Sequence, residues 1–365
     1  MSAIAVVILL VAVLSYANGA NDNSKGVATL VGFGTATPKP ALIWGTITTA
    51  IGAAFSFLVA KGMINAFKAG VFKPGTTIPN VFFCAVLCGA VGWVLFANRT
   101  GMPVSTTHAI VGGLIGAGLT NFRADQIVWS FLGKSVAIPL VLGPVISSLL
   151  VYLLAWPVVA VTRGRKSQVL LVERQTAVVS FGSSASIAVA ETTEQMTVDA
   201  PPTSKTVNAA EIVHWISGGM VGFARGWNDA PKIAALSLVA LTATHAANPA
   251  AVGFAIVTVA MAAGGVISGR RVLKTLSKKL TPLPLAESLT ASLATAALVS
   301  AASWASLPVS TTHVATGAII GAGLKNNPSA VKWSKVTEIA ISWVITLPVA
   351  ALISAVVMLA LKQLG

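Results

Sequence analysis

Charged residues are scarce in this sequence. Asp, Glu, Lys and Arg make up only 9% of its 365 residues, whereas about a quarter of the residues in soluble domains are charged. This scarcity argues against a water-soluble globular protein. Several apolar runs approach the roughly 20 residues that cross a bilayer as a helix. The runs are continuously apolar rather than alternating, which favours helices over a barrel. We therefore predict an all-α polytopic membrane protein.

Cysteine and acidic residues are also few. The two cysteines, Cys84 and Cys88, lie one helical turn apart in an apolar segment, which is more typical of small core residues than of a metal site. Only 10 acidic residues oppose 24 basic ones, for a net charge of +14. The basic residues stand mainly in short loops, as at 270–279, which the positive-inside rule explains. We predict no nucleic-acid partner.

Eight long apolar segments and two shorter ones divide the chain. The long segments are 1–17, 41–60, 80–97, 127–162, 209–224, 251–267, 285–305 and 336–361. The segment 127–162 contains three prolines, so it is either two spans or one long kinked helix. The shorter segments, 103–119 and 308–324, are rich in glycine and begin near proline, which predicts broken or re-entrant helices.

Residues 163–208 interrupt the apolar pattern. They begin with Arg163, Arg165 and Lys166 and end in a stretch rich in Ser, Thr and Pro. We predict that 163–208 is a central linker on the cytoplasmic face. It would join a first membrane repeat, residues 1–162, to a second, residues 209–365.

Two motifs occur twice, in the same order and with nearly the same displacement. The sequence Pro-Val-Ser-Thr-Thr-His occupies 103–108 and again 308–313, which are 205 residues apart. The pair Asn21-Asp22 returns as Asn228-Asp229, 207 residues later. Such a common displacement indicates that a whole half of the protein is duplicated.

The duplication is predicted to be inverted. If each half crosses the membrane an odd number of times, the second half lies upside down relative to the first, and the broken helices meet near the midplane. Five basic residues at 270–279, against three at Lys61, Lys68 and Lys73, weakly favour inversion over a parallel repeat. We expect about 10–12 membrane segments.

The two Pro-Val-Ser-Thr-Thr-His motifs predict an anion site. Proline suits the first turn of a helix and Ser or Thr its N-cap, so each motif would offer backbone N–H groups, hydroxyls and the positive end of a helix dipole. Two copies facing each other could surround a tetrahedral oxyanion. The alternative is that the hydroxyls only cap the helices. The candidate phosphate ligands are Ser105, Thr106, Thr107, Ser310, Thr311 and Thr312.

His108 and His313 each follow a motif serine by three residues. Their roles stay open between a structural hydrogen bond and a proton relay, with the first favoured. A Ser–His nucleophile would need an orienting carboxylate, and the motif contains none. We therefore predict that the protein is not an enzyme.

Glycines 112, 116, 317 and 321 follow the motifs at four-residue spacing, which predicts close helix packing.

The Asn-Asp motifs predict cation sites. An ionised carboxylate in a membrane segment is costly and marks a functional site. Glycine and asparagine around Asp22 and Asp229 could let the helix unwind there and expose carbonyl oxygens, which with Asn21 and Asn228 would form an oxygen cage for a small cation.

Lys25 and Lys232 offer an alternative role for the same carboxylates. Each lysine follows its aspartate by three residues on one helix face and could neutralise it. Two Asp and two Lys sum to zero, so an entering dianion would leave the site negative unless cations enter with it. Glu287, Lys25 and Lys232 are possible further coupling residues. Glu287 could bind a further cation or take a proton, or it could be a residue of the membrane interface.

Four segments resemble the signatures of the inorganic phosphate transporter (PiT) family, over roughly 15–120 and 215–325. They are G-A-N-D-N-S-K-G, G-W-N-D-A-P-K and both P-V-S-T-T-H copies. The resemblance implies an inverted-repeat helical symporter that imports phosphate with a cation and forms a homodimer. It places the phosphate and cation ligands on the Asn-Asp and Ser-Thr-Thr residues of both halves. Many relatives carry an acidic residue in the segment that corresponds to 41–60, and this chain carries none there.

The sequence thus predicts a prokaryotic sodium/phosphate symporter, a multi-pass protein of the inner or plasma membrane. Sodium would be a co-substrate, and no cofactor is expected. A proton-coupled phosphate or sulfate symporter is the nearest alternative. An anion channel is the alternative of another class, but conduction without coupling has no need of Asp22 and Asp229.

Overall fold

The computed structural model describes residues 3–162 and 209–364, except 69, 70, 77, 123, 243, 245 and 246. The predicted linker 163–208 lies outside the described residues. The first half contains α1 (Ala3–Phe33), α2 (Pro38–Val59), α3 (Lys61–Lys68), α4 (Asn80–Thr100), α5 (Thr106–Asn121), α6 (Trp129–Phe131) and α7 (Ile138–Thr162). The second half contains α8 (Ala209–Thr242), α9 (Pro249–Ser268), α10 (Arg270–Lys278), α11 (Leu285–Trp304), α12 (Thr311–Asn326) and α13 (Trp333–Leu364).

The two halves have the same order of elements. A long helix carries the Asn-Asp motif, a short helix follows the second apolar helix, and a 16-residue helix follows each Pro-Val-Ser-Thr-Thr-His motif. A 3₁₀ turn then leads to the last helix in both halves. This common order agrees with the predicted duplication, which stays a prediction.

The halves pack against each other reciprocally. Helix α2 packs on α8 while α1 packs on α9, and α5 packs on α13 while α12 packs on α7. Reciprocal contacts of this kind are typical of a two-fold relation between equivalent units. They are consistent with the predicted inverted repeat, whose direction in the bilayer stays a prediction.

Six helices of the described chain are long and apolar enough to cross a membrane. They are α1, α2, residues Val81–Thr100 of α4, α9, α11 and residues Trp333–Gln363 of α13. Among the other helices that the predicted 10–12 segments would require, α7 is apolar and 25 residues long, and the rest are shorter or more polar. Helices α5 and α12 have 16 residues each, and α8 carries Arg225, Asp229 and Lys232 near its middle.

Within the segment 127–162, residues 129–162 form one long helical stretch rather than two spans. Helices α6 and α7 are joined without a break by a π-helical turn at Leu132–Ala137. The wider turn accommodates the chain just before Pro139, whose ring cannot follow a regular α-helical hydrogen-bond ladder.

Cys84 and Cys88 are free thiols of α4, and Cys84 packs in the apolar core, as expected.

The glycines that follow the two motifs lie at helix contacts. Gly112 and Gly116 face the backbone of α13, and Gly317 and Gly321 face that of α7. A Cβ atom at any of these positions would come too close to the opposing helix. The packing role predicted for these glycines is confirmed.

Substituting one of these glycines should therefore loosen the packing of the two halves. In Gly116→Ala, the new Cβ would overlap the carbonyl oxygen of Ala351. We expect a loss of about 1–3 kcal/mol in the free energy of unfolding, measured by thermal or denaturant melts. Gly133→Ala is the matched control, because among the described residues no atom beyond its own stretch of helix lies within 4 Å of the added Cβ. Equal stability of the two variants would contradict this packing role.

Candidate functional site

The short helices α5 and α12 begin inside the two repeated motifs. Ser105 is the N-cap of α5, and its Oγ accepts a hydrogen bond of 3.2 Å from the backbone N–H of His108. Ser310 caps α12 in the same way, with a bond of 3.3 Å from His313. Each cap satisfies the third N–H of its helix and leaves the first two at the positive end of the dipole.

Proline does not occupy the first turn, contrary to the expectation from sequence. Pro103 lies two residues before the N-cap of α5, in a segment outside the helix. The residues between Pro103 and Thr106 are therefore not helical, and the backbone carbonyl of Val104 is free to meet side chains of the other elements. The second motif has the same arrangement, with Val309 at the equivalent place.

The Asn-Asp motifs lie within continuous helices, so the predicted unwinding at these motifs is wrong. Helix α1 runs unbroken through Asp22, and α8 runs unbroken through Asp229 despite Pro231. Polar side chains spaced three or four residues apart hold each helix together, because such pairs lie on one face. The exposed carbonyl oxygens come instead from the non-helical segments before α5 and α12.

Lys25 binds its own aspartate and reaches the other half of the protein. Its ammonium group forms a short ion pair with Asp22 Oδ1 and a short hydrogen bond to Thr312 Oγ1. The carbonyl oxygen of Val104 lies 3.4 Å from the same nitrogen and accepts a hydrogen bond of 2.7 Å from Thr312 Oγ1. The salt-bridge alternative is therefore present in the structure.

Lys232 makes the equivalent contacts from the second half. Its ammonium nitrogen lies 3.0 Å from Asp229 Oδ1 and 2.5 Å from Asn228 Oδ1. It also lies 2.8 Å from the carbonyl oxygen of Val309 and 2.9 Å from Thr107 Oγ1. Each lysine thus joins the aspartate of its own half to a motif threonine of the other half.

The two carboxylates approach each other through Asn18. The Nδ2 group of Asn18 lies 3.0 Å from Asp22 Oδ2, 3.0 Å from Thr106 Oγ1 and 3.5 Å from Asp229 Oδ2. Thr311 Oγ1 donates to Asp229 Oδ2 at 3.4 Å. The structure therefore brings Asp22, Asp229 and threonines of both motifs into one group, which we call the polar cluster.

Arg225 belongs to the polar cluster although sequence reasoning did not single it out. It is only 1% exposed. Its guanidinium donates to the backbone oxygen of Asn18 at 3.3 Å, to Asn18 Oδ1 by a shorter bond, and to Thr49 Oγ1 at 3.2 Å, and its Nε lies 3.7 Å from Asp229 Oδ2. The signal was available: Arg225 is an ionisable residue in an apolar helix, 207 residues after Asn18, the displacement that relates the two Asn-Asp motifs.

Arg225 changes the charge of the cluster. Two Asp, two Lys and one Arg give a formal charge of +1, rather than the zero obtained from the Asp and Lys alone. All five residues are buried, with none more than 4% exposed. A buried group of charges is stable only when each charge is paired and hydrogen-bonded, as here.

The two motif asparagines have different contacts. Asn228 donates to Ser303 Oγ at 2.8 Å and, as described, accepts from Lys232. Asn21 instead forms hydrogen bonds with the segment that precedes α5. Its Nδ2 donates to Asn98 Oδ1 at 2.8 Å and to the carbonyl of Met102 at 2.9 Å, and its Oδ1 accepts from Val104 N–H at 3.2 Å.

Glu287 and the histidines lie apart from these contacts. Glu287 is partly exposed in the first turn of α11, where its charge favourably meets the positive end of the helix dipole. The rings of His108 and His313 lie with centroids 4.7 Å apart, and His313 stacks on Trp343 at 3.9 Å. Trp343 donates to the carbonyl of Pro103 at 3.1 Å, so this ring stack supports the first motif.

Comparison with known proteins agrees with this architecture. Residues 18–354 match the model of the phosphate transporter family. The chain belongs to the phosphate transporter family. It is similar to the "probable low-affinity inorganic phosphate transporter" of Rhizobium meliloti, at 31% identity over 93% of this chain and 91% of that protein. The protein of the same description from Mycobacterium bovis is 27% identical over 96% of this chain and 75% of its own length.

A solved structure has the same fold. The structure described as "the sodium-dependent phosphate transporter" matches with a TM-score of 0.76 and 21% identity, over 100% of both chains. The predicted family and the all-α membrane fold are thus confirmed. This member of the phosphate transporter family is a multi-pass protein of the cell membrane, and the named relatives are transporters rather than enzymes.

Proposed function

We propose that the chain is a secondary active symporter that imports inorganic phosphate together with sodium by alternating access, and that it is not an enzyme. The observation that carries the proposal is the polar cluster itself. It joins carboxylates from both Asn-Asp motifs to the N-termini of two short helices, and it is buried where the two halves of the protein meet.

Phosphate is the anion that this group of side chains suits best. Thr106, Thr107, Thr311 and Thr312 stand at helix N-termini that favour negative charge. The serines that cap these helices, Ser105 and Ser310, keep a hydroxyl hydrogen that can be donated. Asp229 Oδ2 lies among these donors and can accept a proton from a phosphate hydroxyl. Sulfate is fully ionised and has no such proton, so the mixture of donors and acceptors favours phosphate over sulfate.

Sodium is the proposed co-substrate because hard oxygen ligands converge on two equivalent places. Asp22 with the carbonyl of Val104 forms one set, and Asp229 with Asn228 and the carbonyl of Val309 forms the other. Carboxylate, amide and carbonyl oxygens are the ligands that small hard cations prefer. An anion channel would have no use for the two carboxylates, which disfavours that class.

Alternating access is supported by the reciprocal packing of the halves. The polar cluster lies between bundles that contact each other through glycine-rich faces, so one bundle can rock against the other around a fixed site. Glu287 is proposed only as a further coupling residue. Homodimer formation stays a prediction, which a mass measurement in detergent would check.

Uptake of radiolabelled phosphate into proteoliposomes tests the proposed function. We expect uptake to require an inward sodium gradient and to continue when sulfate is present in excess. A proton gradient alone should not replace sodium. Uptake indifferent to sodium would contradict sodium coupling, and sulfate competing as well as phosphate would contradict the substrate. Empty liposomes and liposomes with the Asp22→Asn variant are the controls.

A further inference from the structure

The ammonium groups of Lys25 and Lys232 form hydrogen bonds and ion pairs with the oxygens that are proposed to bind sodium. Around Lys232, four oxygens from a carboxylate, an amide, a carbonyl and a hydroxyl lie within 3.0 Å of the nitrogen. An ammonium group has three N–H donors, so four close oxygens exceed the number of hydrogen bonds it can make one to one. Such a set suits a spherical cation at least as well as it suits a lysine.

The same ammonium groups also touch hydroxyls of the phosphate site. Lys232 contacts Thr107 of α5, and Lys25 contacts Thr312 of α12. Each group therefore lies at the border between the oxygen set and the helix N-terminus where an oxyanion would bind. A lysine side chain is a flexible four-carbon stem with a compact charge. A small movement of its end exchanges carboxylate contacts for phosphate contacts, and ammonium–phosphate hydrogen bonds are strong.

The charge of the polar cluster indicates when that exchange is favourable. Sodium entering alone would raise the buried formal charge from +1, and phosphate entering alone would lower it below zero. Both changes are costly in a site removed from water. Two sodium ions and one hydrogen phosphate dianion are neutral together and leave the charge of the cluster unchanged.

We propose that Lys25 and Lys232 couple the two co-substrates: each ammonium group competes with sodium for one set of oxygens and becomes a phosphate ligand when sodium displaces it. The inference rests on the sodium-coupled phosphate transport proposed above. In the absence of the co-substrates, the two ammonium groups occupy the sodium positions and neutralise the carboxylates. Because the displaced ammonium needs a new partner, sodium binds well only with phosphate, and phosphate binds well only with sodium.

Binding of radioactive sodium to the purified protein, with and without inorganic phosphate, tests the proposal. In the wild type we expect phosphate to raise sodium affinity by about 5- to 150-fold, the usual range of coupling, and sodium to raise phosphate affinity by the same factor. In Lys25→Met and Lys232→Met, the competitor is gone and the aspartate of the same half has lost its lysine partner. Sodium affinity without phosphate should then rise at least about tenfold, and phosphate should add little to it.

Lys335→Met is the matched control. Lys335 pairs with Glu338 three residues away, as the site lysines pair with their aspartates, but on an exposed surface. Its removal should change neither binding curve. Size-exclusion chromatography and circular dichroism verify that the variants are folded.

Three results would overturn the proposal. Sodium affinity without phosphate could be the same in the wild type and both site variants, or wild-type sodium affinity could be independent of phosphate. Alternatively, the wild type could bind no sodium while the variants acquire it, which would make the lysines permanent substitutes for the ion. If a variant does not fold, the reciprocal binding measured on the wild type still decides. A wild type that binds no phosphate under any condition would refute the proposed function itself.

Discussion

Replacing Asp22 with Asn is expected to reduce phosphate uptake more than about a hundredfold. The carboxylate pairs with Lys25 and accepts from Asn18. Breaking a buried ion pair by removing one partner typically costs about 3–5 kcal/mol, equivalent to a factor of several hundred or more in an equilibrium. Asparagine keeps the size of the side chain and one oxygen acceptor, so the protein should still fold. Uptake into proteoliposomes measures the loss.

Asp125→Asn is the control for this prediction. Asp125 is an aspartate on the surface, 54% exposed and 4.0 Å from Lys73. Exposed pairs of this kind contribute little, about 0–1 kcal/mol, so uptake should be unchanged. Wild-type uptake by Asp22→Asn would refute the role of this carboxylate in cation binding. Residual uptake that no longer responds to sodium would support it.

Replacing Arg225 with Leu is expected to remove uptake and to destabilise the protein. The guanidinium holds Asn18, Thr49 and Asp229, which belong to three different helices. Without it, Asp229 keeps one cationic partner instead of two, and Asn18 Oδ1 loses its guanidinium donor. We expect the free energy of unfolding to fall by on the order of 3–5 kcal/mol. Tryptophan fluorescence recorded during thermal melts measures the change.

Two further variants make the Arg225 prediction specific. Arg225→Lys keeps the charge but cannot reproduce the planar fork of donors, so it should recover only part of the stability. Arg270→Leu removes an exposed arginine at the first residue of the short helix α10 and should leave stability unchanged. If Arg225→Leu and Arg270→Leu melt at the same temperature, the guanidinium does not hold the helices together.

The repeated motifs were sufficient to predict the short helices α5 and α12 and the convergence of threonines and aspartates. Helix propensity and local signals could not show that α1 and α8 stay continuous through Asp22 and Asp229. That continuity depends on Asn18, Lys25 and Lys232 meeting partners from distant parts of the chain. Arg225 was missed for a related reason, since its partner lies 207 residues earlier.

The choice between a salt bridge and a cation cage also required the structure. Spacing of three residues allows Lys25 to reach Asp22, but it does not reveal that Val104 and Thr312 approach the same nitrogen. Contacts between residues so far apart in sequence follow only from the packing of the two halves. The sequence could therefore propose both interpretations. The geometry shows the salt bridges, and a cation cage formed by the same oxygens stays a proposal.

The contact between Arg225 and Asn18 bears on the ancestry of the protein. These residues occupy equivalent positions of the two repeats and touch each other. If the repeats descend from a half-length chain that paired with itself, that ancestor carried the same residue twice at this place. Two arginines would repel and two asparagines would leave the carboxylates without a guanidinium. The present asymmetric pair therefore requires two copies that diverged independently after duplication.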